Sequence, residues 1–168
     1  MRHQIRRTTQ TGFTLIELMV AIAVLAVILS LAAPSFRQML ESQSMRATAF
    51  DLVADLTLAR SEALKRGQNV TIGIPASQGG DWSKGWAVVL GEDVDDASAE
   101  TISKKNPAGN GVTFTSTLNE ITFRGDGRVS SGTSQVKFGL KNSDESQQRC
   151  ILLDLSGRPK SLKRSCPT

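Results

Sequence analysis

An apolar run near the N-terminus constrains this chain more than any other feature. Within residues 13–33 only Thr14, Glu17 and Ser30 are polar, and residues 18–29 contain no polar side chain. As a helix, this run of 21 residues would be about 31 Å long, which matches the hydrocarbon core of a bilayer, about 30 Å thick. The run therefore predicts a membrane-spanning helix rather than the core helix of a soluble domain.

The charges around this run predict its orientation. Three arginines precede it, and the next basic residue is Arg37. Because positive residues stay on the cytoplasmic side, we expect the N-terminus in the cytoplasm and the rest of the chain outside it. A cleaved secretory signal is the alternative, although residues 32–34 (Ala-Ala-Pro) fit its small-x-small cleavage site poorly.

The composition argues against the common catalytic and metal sites. His3 is the only histidine, and two cysteines are too few for a structural zinc. A Ser-His-Asp or Cys-His nucleophile pair is therefore excluded outside the N-terminal segment. Carboxylate or Ser-Lys catalysis is not excluded by the composition, but no residue pattern points to it. The acidic residues 92–96 lack the spaced ligands of a calcium loop. We expect no enzyme activity, no cofactor and no metal site. The sequence does not decide whether the loop at residues 92–96 holds an ion.

Residues 12–17, Gly-Phe-Thr-Leu-Ile-Glu, resemble the processing motif of type IV pilins and of the pseudopilins of type II secretion. The resemblance implies that a prepilin peptidase cuts between Gly12 and Phe13, removes the leader (residues 1–12) and methylates the new amine of Phe13. Pro34 stands where many pilins carry a helix-kinking proline.

Glu17 has two interpretations. A carboxylate near the start of an apolar span can reach the headgroups and have no further role. The resemblance instead implies a role in assembly, in which Glu17 pairs with the Phe13 amine of a neighbouring subunit, because a buried carboxylate needs a cationic partner.

Helical periodicity continues beyond the apolar run and predicts one helix over residues 13–66. Lys65 and Arg66 followed by Gly67 are typical of a helix C-terminus. The predicted core face consists of the apolar residues that recur at spacings of three, four and seven: Phe36, Leu40, Ala47, Phe50 and Ala54, broadened by Val53, Leu56 and Ala63.

The remainder predicts a β-rich domain. Short apolar or β-branched runs separated by Gly, Asn, Asp and Ser give candidate strands at residues 70–74, 86–90, 112–115, 120–123, 128–130, 136–140 and 150–155. Residues 121–129 and 156–158 are similar to motifs of the GspH/FimT-like minor pilins and pseudopilins. This resemblance implies an α+β, pilin-like fold, with a long N-terminal helix packed on an antiparallel β-sheet head, and a periplasmic domain over residues 34–168.

Two features near the C-terminus are candidate sites. Cys150 and Cys166 would lie outside the cytoplasm, where disulfides persist; we expect a bridge closing about 15 residues, with two free thiols as the alternative. A group of cations follows the last predicted strand: Arg158, Lys160, Lys163 and Arg164.

The cations of this basic tail allow three interpretations. In FimT-like proteins of natural transformation, a Gly-Arg-x-Arg motif is implicated in DNA binding, and residues 157–160 read Gly-Arg-Pro-Lys. The tail contains no aromatic residue for stacking on bases. A solvated basic rim, or a contact with an acidic neighbouring subunit, explains the same residues.

The resemblance implies a structural minor pilin of a type IV pilus. Its partners would be other minor and major pilins and the prepilin peptidase, and it would reside in the bacterial inner membrane before assembly. A minor pseudopilin of a type II secretion system and a DNA-binding minor pilin for DNA uptake are the alternatives.

Overall fold

The computed structural model describes residues 12–106, 108–109, 111–130 and 135–167. The leader up to residue 11, with His3 and its arginines, lies outside the described residues. The described residues divide into two units, one up to residue 38 and the other from residue 39 onward. Helix α1 (Leu15–Arg66) contributes residues to both, and each unit is described by itself.

The first unit consists of the apolar part of α1. All the large apolar side chains that the structure describes in this unit are exposed, by between 54% (Val24 and Leu25) and 85% (Phe13). By length and composition, α1 is the one helix among the described residues that could cross a membrane. Pro34 lies inside this helix.

The second unit contains the C-terminal part of α1, which buries one face against the β-rich head. The buried residues follow helical spacing: Ser42, Met45, Thr48, Ala49, Leu52, Leu56, Ala59 and Ala63. The helix ends as predicted at Arg66, and the N–H of Gly67, at a φ of 64°, donates to the carbonyl of Ala63 at 2.9 Å.

The predicted core face of α1 is wrong in its main members. Leu56 and Ala63 are buried, but Leu40, Ala47, Phe50 and Ala54 are exposed, as is Phe36 in the first unit. The helix carries two apolar faces. The face that packs on the head mixes large apolar residues with small or hydroxyl-bearing ones, so periodicity alone does not show which of the two faces is buried.

Eight strands form two four-stranded antiparallel sheets. Their bounds are β1 (Val70–Gly73), β2 (Trp86–Leu90), β3 (Thr101–Lys105), β4 (Val112–Ser116), β5 (Glu120–Phe123), β6 (Gln135–Asn142), β7 (Gln148–Asp154) and β8 (Pro159–Leu162). The strand order is β3-β2-β1-β5 in the first sheet and β4-β6-β7-β8 in the second. Two short 3-10 helices, Ala76–Gln78 and Trp82–Lys84, connect β1 to β2.

One hydrophobic cluster joins α1 to both sheets. It includes Leu52 of α1, Ile72 of the first sheet and Phe138 of the second, all fully buried. The ring of Trp82 packs edge-on against Phe138, with ring centroids 4.9 Å apart. The α+β architecture is thus the predicted one, with two sheets in the head.

Three sequence predictions of strands need correction. Strands β3 and β8 were missed, because β3 is polar with two lysines and β8 begins with Pro159, which is typical of an edge strand. Residues 128–130 form no strand, and Val129 makes only an isolated bridge with Phe123. The other strands lie where predicted, with bounds shifted by up to two residues.

Candidate functional site

The start of α1 is fixed by Thr14. Its side-chain oxygen accepts a hydrogen bond from the backbone N–H of Glu17 at 3.3 Å, and its carbonyl accepts from the N–H of Leu18 at 3.2 Å. Thr14 is therefore the N-cap, and the Thr-x-x-Glu spacing is that of a capping box. The bond between Gly12 and Phe13 consequently lies outside the helix. Sequence reasoning missed the role of Thr14, although this spacing signals it.

Glu17 occupies the first turn of α1, where the positive end of the helix dipole favours a carboxylate. Its side chain is exposed and forms no ion pair with any described residue. The carboxylate is therefore free to meet a cation of another molecule.

Gly127 and Gly157, which lie in the turns at residues 124–128 and 154–158, serve packing. A Cβ at Gly127 would lie 2.8 Å from the Leu64 side chain of α1, and one at Gly157 would lie 2.6 Å from the carbonyl oxygen of Gly127. The Nε of Arg60 donates to that same carbonyl at 3.0 Å. The two turns thus pack directly on each other and on α1, which explains why these two positions need residues without side chains.

The disulfide between Cys150 and Cys166 holds the C-terminal tail on the second sheet. Cys150 is fully buried in β7, and its Cα is 4.9 Å from that of Cys166. Beyond the bridge, the Nζ of Lys137 in β6 donates to the carbonyl of Pro167 at 2.7 Å. The tail therefore folds back from β8 across β7 to β6.

The four cations of the basic tail lie in and around strand β8. Arg158 precedes β8, Lys160 lies within it, and Lys163 and Arg164 follow it. All four side chains are exposed, and none forms an ion pair with a residue that the structure describes.

Strand register adds a residue that sequence reasoning missed. Leu152 of β7 pairs with Lys137 on one side and with Lys160 on the other, so both lysines share one face of the second sheet. No sequence signal identifies Lys137, because only the register brings it beside the tail.

The turn before Arg158 is held by Asp154. Its Oδ1 accepts from the Ser156 hydroxyl at 2.5 Å and from the Arg158 backbone N–H at 3.2 Å. The hydrogen bond from the Ser156 side chain, helped by the Arg158 N–H, lowers the pKa of Asp154. The carboxylate thereby orders the turn that presents Arg158.

The acidic residues 92–96 serve the loop in which they lie. Glu92 accepts from the Asn69 side chain at 2.6 Å, and Asp95 accepts from the Ala76 N–H at 2.8 Å. Asp96 accepts from the Ser98 N–H at 2.8 Å. Within the described residues, no group of three or more His, Cys, Asp or Glu side chains is placed to hold a metal ion.

Comparison with known proteins agrees with this geometry. The family model described as "Type II transport protein GspH" matches residues 48–157, which include the packed glycine turns. The model described as "Prokaryotic N-terminal methylation motif" matches residues 7–33. No curated protein matches the sequence significantly.

Two solved structures share the fold. The minor pilin FimU of Pseudomonas aeruginosa aligns with a TM-score of 0.62 and 22% identity, covering 76% of this chain and 98% of FimU. The minor pseudopilin EpsH from the type 2 secretion system of Vibrio cholerae aligns with a TM-score of 0.54 and 13% identity, covering 71% of this chain and 97% of EpsH. The sequence prediction of a pilin-like α+β fold is confirmed, and because the GspH model matches more than half of the chain, the protein belongs to the GspH family of minor pilins and minor pseudopilins.

Proposed function

We propose that this protein is a minor pilin, a non-enzymatic structural subunit that helps to initiate or cap a type IV pilus. The prepilin peptidase cuts between Gly12 and Phe13 and methylates Phe13. Residues 13–33 then anchor the chain in the inner membrane, with the N-terminus cytoplasmic and residues 34–168 periplasmic, until the subunit enters the filament. The N-terminal methylation motif supports this processing.

The main support for this proposal is an exposed apolar stripe on the C-terminal part of α1, which belongs to the second unit. It consists of Leu40, Ala47, Phe50 and Ala54, which recur at helical spacing, with Phe50 exposed at 73% and Leu40 at 49%. The opposite face of the helix already packs on the head, so the stripe needs a partner from outside. A bundle of subunit helices in a filament supplies one.

Glu17 adds register to this apolar contact. Apolar stripes can pack on one another at several axial positions. A carboxylate buried in a water-free bundle requires a cationic partner within ion-pair distance, which only one axial position provides. The Phe13 amine of a neighbouring subunit fits this need, since Glu17 has no ion-pair partner within the described part of its own chain. Glu17→Ala is expected to insert into the membrane normally and to fail in filament incorporation, and normal incorporation would reject the pairing.

The stripe can be tested by placing a charge on it. In cells lacking the native chain, Ala47→Glu puts a carboxylate in the stripe at an exposed position, so the head should fold normally. Thr101→Glu adds the same charge at an exposed position of β3, remote in sequence from α1. Immunoblots of sheared filaments should show loss of Ala47→Glu and retention of Thr101→Glu. Equal retention of both would contradict assembly through the stripe.

A minor pseudopilin of a type II secretion system is the second candidate, because the matching family model carries the name of a type II transport protein. Deletion of the gene separates the two machines. Loss of twitching and of surface pili supports the minor pilin, and loss of protein secretion with intact pili supports the pseudopilin.

The exposed cations of the basic tail, which form no ion pair with a described residue, favour DNA binding for DNA uptake as a third candidate. Contacts between cations and phosphates weaken steeply with salt. A gel-shift assay should then show binding at low salt that Arg158→Ala combined with Lys160→Ala abolishes. Absence of binding, or binding that this double variant leaves unchanged, would end this candidate.

A further inference from the structure

A groove runs between the second part of α1 and the edge of the second sheet. It is lined by Arg46, Ala49, Phe50, Val53, Arg149 and Ser161, and we call it the α1–β8 groove. Its apolar residues come from the helix, with Ala49 buried, Val53 half-buried and Phe50 exposed. It flanks the exposed stripe, because Phe50 belongs to both.

The groove carries uncompensated positive charge. Arg46 and Arg149 line it, and Lys163 joins both of them around an adjoining depression. None of the three forms an ion pair with a described residue, whereas elsewhere in the second unit Arg66 pairs with Glu100 and Lys105 with Asp51. Within the described part of the chain, three cations thus lie beside an apolar surface without an ion-pair partner.

We propose that the α1–β8 groove binds an acidic segment of a different filament subunit, which inserts an apolar side chain beside Phe50 and places carboxylates on Arg46 and Arg149. The inference rests on the proposed function, since the partner is another subunit of the filament. Arginine and aromatic side chains around an apolar centre are typical of protein interfaces. Carboxylates supply the charge complement that the groove lacks.

Two other occupants fit the groove less well. A partner that adds a strand to β8 would need a free edge, but Pro159 has no N–H to donate and Lys160 is the kind of residue that protects edges. A nucleic acid would suit the cations, but Ala49 and Val53 offer no polar group to it. An acidic protein segment uses both the apolar and the charged residues.

The test is photo-crosslinking in cells with full-length protein. Phe50→p-benzoylphenylalanine keeps an aromatic side chain at an exposed position and places the crosslinker in the groove. The crosslinker at position 50 is introduced into the otherwise unchanged chain, into the Arg46→Glu/Arg149→Glu variant and into the Lys104→Glu variant. In each case the crosslinked peptides are identified by mass spectrometry. Lys104 of β3 is exposed and forms no ion pair among the described residues, so it provides the charge control.

We expect a crosslink to another pilin-like subunit, at an apolar residue within a few positions of Asp or Glu. Its yield should fall about tenfold with Arg46→Glu/Arg149→Glu, as expected from the loss of two ion pairs, and should be unchanged with Lys104→Glu. An undiminished yield, a peptide without carboxylates, a second copy of this chain or a nuclease-sensitive product would each overturn the inference. Filaments are analysed in parallel: absence of the wild-type chain from them would instead reject the proposed function.

Discussion

Replacement of Gly157 by alanine tests the packing of the two motif turns. Gly157 has a φ of 74°, and an added Cβ would lie 2.6 Å from the Gly127 carbonyl oxygen and 3.0 Å from the Phe123 ring. A left-handed conformation costs an alanine about 1 kcal/mol, and overpacking a tight site adds about 2 kcal/mol. We therefore expect Gly157→Ala to lower the free energy of unfolding by about 3 kcal/mol.

Gly67 provides the matched control. Its φ is 64°, but an added Cβ there would have no atom within 4 Å, so Gly67→Ala should lose only the conformational part, about 1 kcal/mol. Urea unfolding of the full chain in mild detergent can be followed by tryptophan fluorescence, because both tryptophans, Trp82 and Trp86, are buried in the head. Equal losses for the two variants would refute the packing of Gly157 against Gly127.

Three further predictions concern the head. Cys150→Ala/Cys166→Ala should lower the free energy of unfolding by about 3 kcal/mol, and reduction of the wild type should match it in the same urea assay; an unchanged midpoint would show that the bridge constrains nothing. Asp55 accepts from the buried Nε1 of Trp86 at 2.8 Å, so Asp55→Ala should cost about 2 kcal/mol, and a loss within error of zero would contradict this bond. The folded-state pKa of Asp154 lies below its ordinary value. The ionised carboxylate therefore stabilises the fold above about pH 4, and this stabilisation is lost as the pH falls through the folded-state pKa. The urea unfolding midpoint of Asp154→Asn should accordingly vary less with acid pH than that of the wild type.

Secondary structure is predicted correctly from the sequence where a local residue pattern is compatible with only one structure. The apolar run, its basic flank and residues 12–17 specify the N-terminal helix and its family. Gly67 after two cations marks the end of α1 correctly, and four of the eight strands begin at the predicted residue. In each case neighbouring residues alone determine the local structure.

Prediction from the sequence fails where tertiary packing decides which helix face is buried or which distant residues meet. The helix has two apolar faces, and periodicity alone favours the one with Leu40 and Phe50, whereas the head packs on the one with Leu52. The α1–β8 groove combines Phe50 with Arg149, which are 99 positions apart in the chain, so only the folded chain shows that an aromatic residue accompanies the cations. Lys137 joins the basic tail for the same reason.

The most direct test of the account is the intact mass of this protein recovered from sheared surface filaments. We predict a chain that begins at Phe13, carries one methyl group on its amine and contains the disulfide between Cys150 and Cys166. Absence of the chain from filaments, a chain that still begins at Met1, or one cut beside Pro34 as by a signal peptidase would contradict it.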